Sequence, residues 1–375
     1  MILLKSSQAY EIPQSEHVSA VFRMGDFSNS FQFTYPQWEL KITDSDEWSI
    51  IAIVGRSGSG KTSLMKTLGY QNTRIEWNDR PVIENISSNP DKAIRCLGSV
   101  GFNSMPSWLK PYSVLSNGEK YRAECAWQLD KHNTIYLDEF SSTVDRDTAI
   151  SLSESLHKAV HRENKQLIVS TCHKDILEAL RPCWVVDLDK GVAYDSRGLE
   201  RQPRTIELHR CDKSEWNRFA PHHYLTSSLP KHTQTYLVVW GETNKVVGFT
   251  SCHTLPSGTM TGAYIGSRTV CLPQFQGLGL GIKINELLAE YMTGQGYRYF
   301  VKTSHPVVGE YHERSPNWRP TSKNKVVRDD YKLGRTDFFS GSGRSHWELN
   351  RIVYSHEFVG KSTWVDTRPQ QLSLF

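Results

Sequence analysis

The first half of the chain is organised around residues 50–63, which read Ile50-Ile51-Ala52-Ile53-Val54-Gly55-Arg56-Ser57-Gly58-Ser59-Gly60-Lys61-Thr62-Ser63. The apolar run at 51–54 predicts a strand that is covered on both faces. The glycines let the next loop turn its N–H groups inward, and a helix N-terminus follows near Lys61. Such a loop binds a polyphosphate, and we expect the contacts to come from Gly55, Ser57, Gly58, Ser59, Gly60, Lys61, Thr62 and Ser63. Lys61 would reach the β- and γ-phosphates, and the Thr62 hydroxyl would hold Mg²⁺.

The composition is that of an ordinary globular chain. Its 375 residues are enough for two or three domains. No apolar run approaches the roughly 18 residues that a membrane span needs, so we expect no membrane partner. The seven cysteines are scattered and form no C-x-x-C pair, which argues against a zinc site or a disulfide framework. This cysteine usage favours the reducing cytoplasm.

The net charge of +4 is distributed unevenly along the chain. Residues 1–204 carry 24 Lys and Arg against 26 Asp and Glu, a balance of −2, whereas residues 205–375 carry 20 against 14, a balance of +6. A basic second half suits an acidic partner such as nucleic acid, although a merely solvated surface explains it equally well. The polar, charged segment 196–204 is the best linker candidate. We therefore predict two domains, residues 1–200 and residues 205–375.

Residues at two places in the first domain combine an apolar run with chemistry-bearing side chains. Ser116 and Gly118 stand at the start of a helix predicted over 123–129, which is an anion-binding arrangement. The hydrophobic strand predicted within 133–140 ends in the two carboxylates Asp138 and Glu139. Asp138 is placed to hold Mg²⁺ and Glu139 to polarise an attacking water, although a structural pair of acids would give the same pattern.

Two further segments complete the pattern of the first domain. His173 follows an apolar strand predicted over 166–171, where a histidine is usually a hydrogen-bonded surface residue. Upstream of the glycine loop, residues 18–42 alternate apolar and polar side chains. This alternation predicts an antiparallel strand pair.

In this order, the segments resemble the motifs of the ATP-binding cassette (ABC) ATPases. The glycine loop resembles their Walker A, Leu115-Ser116-Asn117-Gly118-Glu119 their signature, Tyr136-Leu137-Asp138-Glu139 their Walker B, Ser142-Thr143-Val144-Asp145 their D-loop, and His173 their switch histidine. The resemblance covers about residues 15–195. It implies a head-to-tail homodimer in which each ATP lies between the Walker A loop of one subunit and Ser116 and Gly118 of the other. It also implies that His173 contacts the γ-phosphate, that Asp145 couples the two sites, and that Asn103 replaces the lid glutamine.

The sequence departs from the ABC pattern at the signature and in one spacing. Asn117 and Glu119 stand where glycine and glutamine are usual, which should alter the contacts of this segment more than abolish them. The span between Lys61 and Leu115 leaves little room for the helical insert that transporters use to grip a membrane partner. We therefore expect a soluble cassette that is not an importer.

The second domain contains a Q-x-x-G-x-G turn between predicted strands and a helix over 282–292. A turn of this kind offers backbone N–H groups to a pyrophosphate. Its residues are Gln276, Gly277, Leu278, Gly279, Leu280 and Gly281. A second dinucleotide site would use a similar turn, but no β-α-β unit surrounds it. With the hairpin predicted at 235–250 and the strand at 297–301, the segment resembles the GNAT acyltransferases. That resemblance covers about 205–375 and implies that the turn holds acetyl-CoA or another acyl-CoA.

Acyl transfer to an amine needs a base and a proton donor for the leaving thiolate. His223 or His222 suits the base, and Tyr224 or Tyr311 suits the acid, although each could instead have a packing role. The residues around 220–225 and 304–319 resemble short segments of the Mom-type phage enzymes that modify adenine in DNA. Basic and aromatic residues alternate over 311–328, which suits nucleic acid but also suits a solvated loop with one core tryptophan.

Together these observations predict an α/β chain with an N-terminal ABC-type P-loop ATPase domain and a C-terminal GNAT-like α+β domain. The predicted function is an ATP-hydrolysing, ATP-gated N-acyltransferase that acts on nucleic acid, at an exocyclic amine of a DNA or RNA base. Two alternatives remain at this point. The chain could acetylate a protein or a small amine, or it could be an ABC ATPase defence effector with a non-catalytic GNAT-like module.

Overall fold

A computed structural model describes residues 2–4, 7–34, 38–40, 48–71, 75–197, 204–223, 228–255, 260–329 and 350–361. Side chains at 2–4, 7–10, 31–34, 38–40, 328–329 and 350–351 are outside this description. The chain divides into two compact units, Met1–Gln202 and Pro203–Phe375, and each is described by itself.

In the described residues of the first unit, strands and α-helices alternate regularly along the chain from residue 117 to residue 187. Its strands are β1 Ile2–Leu4, β2 Ser7–Glu11, β3 Ser30–Thr34, β4 Trp38–Leu40, β5 Ile50–Val54, β6 Thr134–Leu137, β7 Gln166–Thr171, β8 Trp184–Asp187 and β9 Val192–Asp195. Its helices are α1 Glu16–Phe22, α2 Lys61–Thr67, α3 Val82–Ile86, α4 Pro90–Ser99, α5 Met105–Trp108, α6 Asn117–Lys131, α7 Arg146–Arg162 and α8 Leu177–Leu180.

The main sheet of the first unit has five strands in the order β6-β7-β5-β8-β9. All neighbours are parallel except β8 and β9. Every residue of β5 is buried, as expected of a parallel strand covered by helices on both faces. Because β5, β6 and β7 run in the same direction, the segments that follow them lie at one edge of the sheet. That edge therefore holds the glycine loop, Asp138 and His173.

The strand pair predicted within residues 18–42 is wrong. The structure has α1 in this region, and β3 and β4 pair with β2 and β1 rather than with each other. The Ser15 hydroxyl accepts a hydrogen bond from the N–H of Val18 at 3.2 Å, so an N-cap starts the helix. The cap accounts only for the start of α1, and β3 and β4 find their partners in the N-terminal strands β2 and β1.

In its described residues, the second unit contains a mixed sheet and three α-helices. Its strands are β10 Ile206–Arg210, β11 Thr233–Trp240, β12 Val246–Thr254, β13 Ala263–Cys271, β14 Arg298–Thr303, β15 Trp318–Pro320, β16 Val326–Asp329 and β17 Asn350–Phe358. Its helices are α9 Trp216–Phe219, α10 Leu280–Gly294 and α11 Pro306–Arg314. The strand order is β10-β11-β12-β13-β14-β17-β15, and β16 pairs with β17.

One pair of strands in the second unit separates along its length. The β13 and β14 strands are parallel and pair only from Ala263↔Arg298 to Ile265↔Phe300, while the other paired neighbours of this sheet are antiparallel. Residues 266–271 of β13 thus continue without β14 as a neighbour. The sheet opens there, directly before the turn that leads into α10.

The two units together confirm the predicted fold class, because the first is α/β and the second α+β. The buried faces of α10, which include Ile284, Leu288 and Met292, pack into the core of the second unit. In the described part of the chain, no helix has both the length and the apolar character needed to cross a membrane.

Candidate functional site

The glycine loop of the first unit has the backbone geometry of an anion cradle. Gly58 and Gly60 have φ values of +79° and +92°, which strongly favour glycine. A Cβ at Gly55 would lie 2.5 Å from the Ser59 hydroxyl oxygen, so the close packing of this loop also requires glycine there. Gly60 caps α2 without any side-chain hydrogen bond, and the first N–H groups of the helix are therefore available to a ligand.

The side chains of this loop are arranged around the same cradle. Lys61 Nζ donates hydrogen bonds of 2.8 Å to the carbonyl oxygens of Gly55 and of Arg56, so the ammonium lies across the loop. The Ser59 hydroxyl is buried and has no hydrogen-bond partner among the described residues. An unpaired buried hydroxyl and an ammonium held at the loop both fit a polyphosphate. The side chains of Ser57 and Ser63 flank them, exposed and half-buried respectively.

Thr62 and Asp138, the predicted Mg²⁺ ligands, are in direct contact. The Thr62 hydroxyl donates a 2.8 Å hydrogen bond to Asp138 Oδ2. The Ser170 hydroxyl donates to Asp138 Oδ1, and this oxygen also accepts the N–H of Glu139 at 3.0 Å. The carboxylate is thus held in one orientation by three donors. A hydroxyl and a carboxylate oxygen are hard donors that fit Mg²⁺, which keeps several waters and phosphate oxygens as its other ligands.

Glu139 and His173 follow neighbouring strands of the sheet. Glu139 is exposed and has a φ of +49°, and nearby Ser141 has a φ of +71°. Such left-handed backbone at non-glycine residues is strained and is concentrated at functional sites. His173 is half-buried, and its N–H donates to the Thr171 hydroxyl at 3.0 Å. The sheet therefore places a carboxylate and an imidazole at the edge that carries the glycine loop.

The signature segment forms the N-terminus of α6, where Ser116 is the N-cap. The Ser116 hydroxyl accepts from the N–H of Glu119, and the Glu119 carboxylate accepts from the Ser116 N–H at 3.0 Å and from its hydroxyl at 2.9 Å. Burial works to raise the pKa of Glu119, but hydrogen bonds from Ser107 and Ser116 outweigh it and lower the pKa below its usual value. Glu119 is therefore an ionised capping residue, which explains why glutamate can replace the usual glutamine.

Thr148 lies next to Gly118 and is hydrogen-bonded to Asp145, so it connects the two residues. A Cβ at Gly118 would lie 4.0 Å from Thr148 Cγ2. Asp145 caps α7 and accepts from the Thr148 N–H at 3.0 Å and from the Thr148 hydroxyl at 2.7 Å. Burial opposes ionisation of Asp145, but these hydrogen bonds lower its pKa. The predicted signature and D-loop residues thus form one surface at the N-termini of α6 and α7.

A cavity of about 860 Å³ opens beside Asp138. Gln71 lines it, whereas Asn103, the predicted lid residue, does not. Asn103 follows α4, and its Oδ1 lies 3.6 Å from the position of a Cβ at Gly98. The sequence analysis did not identify Gln71. Its position four residues after the end of α2 could have marked it as a candidate lid residue.

The Q-x-x-G-x-G turn of the second unit has the same features as the glycine loop. Gly277 and Gly279 have φ values of +92° and +80°, and Gly279 caps α10 without a side-chain hydrogen bond. Around Gly279 and Gly281, a Cβ would meet no atom within 4 Å. The Gln276 side chain donates to the carbonyl of Cys271 at 3.3 Å and so ties the turn to the end of β13. Leu278 and Leu280 pack toward the core. The open space at the helix start can receive a diphosphate.

The candidate bases lie after α9. Burial lowers the pKa of His223 to about 4, and the Arg268 guanidinium contributes to the shift. Burial also lowers the pKa of His222. Both imidazoles are therefore neutral near pH 7, as a proton acceptor must be. Arg268 was missed by sequence reasoning because β13 brings it to His223 from 45 positions further along the chain.

The two candidate acids differ in what the structure shows. Tyr224 lies outside the described residues. The Tyr311 hydroxyl donates to Glu286 Oε1 at 2.7 Å, and burial together with this carboxylate raises the pKa of Tyr311. A tyrosine bound in this way gives up its proton less readily. The structure thus joins Tyr311 to α10, the helix that follows the diphosphate turn.

The basic and aromatic stretch at 311–328 is mostly engaged within the second unit. Trp318 is 4% exposed and packs in the core, and His312 is fully buried against its ring. Arg319 pairs with Glu357 at 2.7 Å and Lys325 with Glu313 at 3.1 Å. The reading of this stretch as a platform for stacking bases is therefore wrong for Trp318, because hydrophobic burial uses the ring.

Sequence comparisons match the chain to two kinds of known protein. Residues 203–314 match the model of the acetyltransferase (GNAT) family. The chain is 28% identical over 200 residues to the aliphatic sulfonates import ATP-binding protein SsuB 2 of Frankia alni, across 46% of this chain and 75% of that protein.

Solved structures similar to each unit have also been found. One is the dimeric ATP-binding cassette MJ0796 bound to ADP and Pi, at 14% identity and a TM-score of 0.38, covering 52% of this chain and 98% of that one. Another is a Bacillus subtilis acetyltransferase in complex with CoA, at 11% identity and a TM-score of 0.29, covering 42% of this chain and 98% of that one. From the sequence matches, the chain combines an N-terminal ABC ATPase-like region with a C-terminal GNAT domain.

Proposed function

We propose that this protein is an ATP-hydrolysing, ATP-gated N-acyltransferase whose acceptor is an exocyclic amine of a nucleic-acid base. The observation that carries the proposal is the presence of two open, uncapped glycine turns, one at the start of α2 and one at the start of α10. The first is joined to a hydroxyl–carboxylate pair suited to Mg²⁺ and the second is not. One turn is thus suited to ATP and the other to acyl-CoA.

In the ATPase region, each residue has a separate task. The N–H groups of the glycine loop and Lys61 bind and orient the phosphates. Thr62 and Asp138 would hold Mg²⁺, which would supply positive charge to offset the negative charge of the phosphates. Glu139 orients and polarises the attacking water, and His173 donates a hydrogen bond to the γ-phosphate. Either Gln71 or Asn103 acts as the lid residue that responds to whether ATP is bound. Gln71 is the better candidate, because it lines the cavity beside Asp138 and Asn103 does not.

The ATP site is completed by a second copy of the chain in a head-to-tail homodimer. Ser116 and Gly118 of that copy would cover the γ-phosphate, and Asp145 would connect the two sites. The adjacency of Gly118, Thr148 and Asp145 supports this role, because one surface then carries both motifs. The Ser116 hydroxyl would give up its hydrogen bond to Glu119 and donate to the γ-phosphate instead. Closure of the dimer therefore depends on the negative charge of the Glu119 carboxylate.

In the GNAT domain, the turn at 276–281 binds the diphosphate of acyl-CoA. The end of acyl-CoA that carries the acyl group then lies in the gap between β13 and β14. Neutral His223 accepts a proton as the acceptor amine attacks the thioester carbonyl, a new C–N bond forms, and the C–S bond breaks. The leaving thiolate takes up a proton from Tyr224 or Tyr311.

The acceptor class is supported by the +6 balance of residues 205–375, of which the stretch at 311–328 supplies +4, with five Lys and Arg against one Glu. Base amines in a duplex are reached only when the base leaves the stack, at a cost of a few kcal/mol, and closure of an ATP-bound dimer supplies a way to hold that state. We place the protein in the cytoplasm, where its seven unpaired cysteines are stable.

Transfer of labelled acetyl groups tests this proposal. Full-length protein is incubated with labelled acetyl-CoA and Mg-ATP, and with DNA, RNA, a lysine-containing protein or a small amine. We expect label on nucleic acid, and none with Gly281→Arg, which fills the open space at the diphosphate turn. Label on the protein or small amine alone would assign the enzyme to another acceptor class. Absence of label from every acceptor would support a non-catalytic GNAT module.

A further inference from the structure

The cavity beside Asp138 is unusual in its lining. It lies entirely within the first unit and is bordered by segments that follow α2 and β6 and by α6. Five of its lining side chains are aromatic, and they are Tyr70, Trp77, Tyr112, Tyr121 and Tyr136. With a volume of about 860 Å³, it is large enough for a small organic molecule or one long side chain.

The aromatic rings form a prearranged surface. Trp77 and Tyr112 are stacked with centroids 4.2 Å apart and an interplanar angle of 3°. Tyr70 and Tyr136 meet at 6.1 Å, and the Tyr136 hydroxyl donates to the carbonyl of Leu68 at 2.7 Å. These contacts hold the rings in place in advance, which reduces the entropy lost on binding.

In the described part of the chain, the charged groups that line the cavity are all negative. Glu76, Glu124 and Asp138 line it, and no Lys, Arg or His does so among the described residues. The Tyr112 hydroxyl donates to Glu124, so this carboxylate is fixed against the ring stack. Phosphates and other anions are therefore disfavoured by both the carboxylates and the electron-rich ring faces.

A cation of the chain itself already uses one of these rings. Lys120 Nζ lies 5.7 Å from the centroid of the Tyr112 ring. This distance is within the range of a cation–π contact, so one ring of the stack already interacts with a positive charge. Aromatic faces combined with carboxylates are the chemistry that recognises alkylammonium and alkylguanidinium groups.

We propose that this cavity is a binding site for an organic cation, an alkylguanidinium or alkylammonium group, held between the Trp77–Tyr112 stack and the Glu124 carboxylate. Such a group comes either from an arginine or lysine side chain of a polypeptide or from a free polyamine. Asp138 and Gln71 of the same cavity belong to the proposed ATP site, whereas Trp77, Tyr112 and Glu124 do not, so binding to these three residues is tested in the absence of nucleotide and acyl donor.

The test is isothermal titration calorimetry on the full-length protein with a matched pair of probes. N-acetylarginine methylamide carries the guanidinium, and N-acetylcitrulline methylamide is its neutral isostere. We expect the arginine probe to bind at least about tenfold more tightly than the citrulline probe. Spermidine is the third probe, and tighter binding of spermidine than of the arginine probe would identify a free polyamine as the better ligand.

Variants locate the binding. Glu124→Gln should weaken the arginine probe about tenfold while leaving the citrulline probe unchanged, and Trp77→Leu should weaken both. Glu310→Gln, an exposed carboxylate in the second unit, should change nothing. If Glu124→Gln lowers the melting temperature, the exposed Glu76→Gln replaces it. Equal affinity for arginine and citrulline, full affinity in the Gln variants, or no heat from any cation at concentrations on the order of 10 mM would overturn the proposal.

Discussion

The Thr62 hydroxyl donates a 2.8 Å hydrogen bond to the Asp138 carboxylate, and this bond joins the start of α2 to the end of β6. The two residues are 76 positions apart in the chain. They meet because β5 and β6 are parallel strands of one sheet, separated only by β7. The hydrogen bond therefore holds the two proposed Mg²⁺ ligands, the Thr62 hydroxyl and the Asp138 carboxylate, next to each other.

A substitution at Thr62 tests the contribution of its hydroxyl to the proposed Mg²⁺ site separately from that of the other loop residues. In Thr62→Ala, we expect Mg-dependent ATP hydrolysis to fall at least about tenfold, because one hard oxygen ligand is lost. Thr62→Ser keeps the oxygen and should retain most activity. The measurement is the rate of phosphate release as a function of Mg²⁺ concentration. Equal rates for the Ala and Ser variants would remove Thr62 from the metal site.

Glu119 combines a structural and an electrostatic effect, and two substitutions separate them. Glu119→Gln keeps the reciprocal cap and should change the free energy of unfolding by less than about 0.5 kcal/mol, whereas Glu119→Ala should cost about 0.5–1 kcal/mol. Denaturant unfolding measures both. In the presence of Mg-ATP, Glu119→Gln should also favour the dimer in sedimentation, because a negative charge near the γ-phosphate is gone. A less stable dimer in Gln than in the parent would contradict the proposed arrangement.

The pH dependence of acyl transfer should report on His223. Its pKa is lowered to about 4, by burial first and by Arg268 second, so the base stays neutral far below pH 6.5. We expect kcat/KM for acyl transfer to hold from pH 7 through pH 6 and to fall only as the pH approaches about 4. Arg268→Gln removes a positive neighbour, so the pKa of His223 should rise and the acid limb should move to higher pH.

Arg268→Lys is the matched control for this shift, because it keeps the charge. Its acid limb should stay near that of the parent protein. If the Gln and Lys variants shift the limb equally, or if His223→Gln retains the same profile, His223 is not the base.

His312 should make the second unit sensitive to acid. Burial first, and then the neighbouring His356, lower its pKa to about 4 in the folded chain, while an unfolded histidine titrates near 6.5. The folded pKa is the lower one, so the contribution to stability is complete above pH 6.5 and is lost as the pH falls toward 4. His312→Phe should therefore flatten the loss of unfolding free energy between pH 6.5 and 4. An unchanged slope would show that His312 does not carry the effect.

Local patterns were sufficient where the chemistry and the backbone are specified by neighbouring residues. The strand, glycine loop and helix at 50–67 could be predicted because apolar β5, the glycines and the helix start are contiguous. The α10 helix was predicted over 282–292 and spans Leu280–Gly294, since its apolar face repeats at helical spacing. The domain boundaries and the roles of the site residues stay predictions.

Contacts between residues that are distant in the chain could not be predicted from local patterns. The alternation of basic and aromatic residues at 311–328 does not show that Trp318 is in the core, because burial depends on the distant Phe358 and Tyr299. Arg268 lies on β13, 45 positions after His223 in the chain, and its charge acts on His223 only in the folded unit. Gln71 is distinguished only by its place in the lining of the cavity. Glu119 was recognised as a departure from the motif, but only the structure shows that it forms a capping box.

In the proposed function, one chain couples ATP hydrolysis to acyl transfer onto a nucleic-acid base. Mass spectrometry of nucleosides from cells that express the parent protein, Glu139→Gln or Gly281→Arg tests it most directly. We predict an acylated nucleoside with the parent protein, none with Gly281→Arg, and an altered yield with Glu139→Gln. An unmodified nucleoside pool with the parent protein, or the same modified nucleoside with all three, would contradict the account.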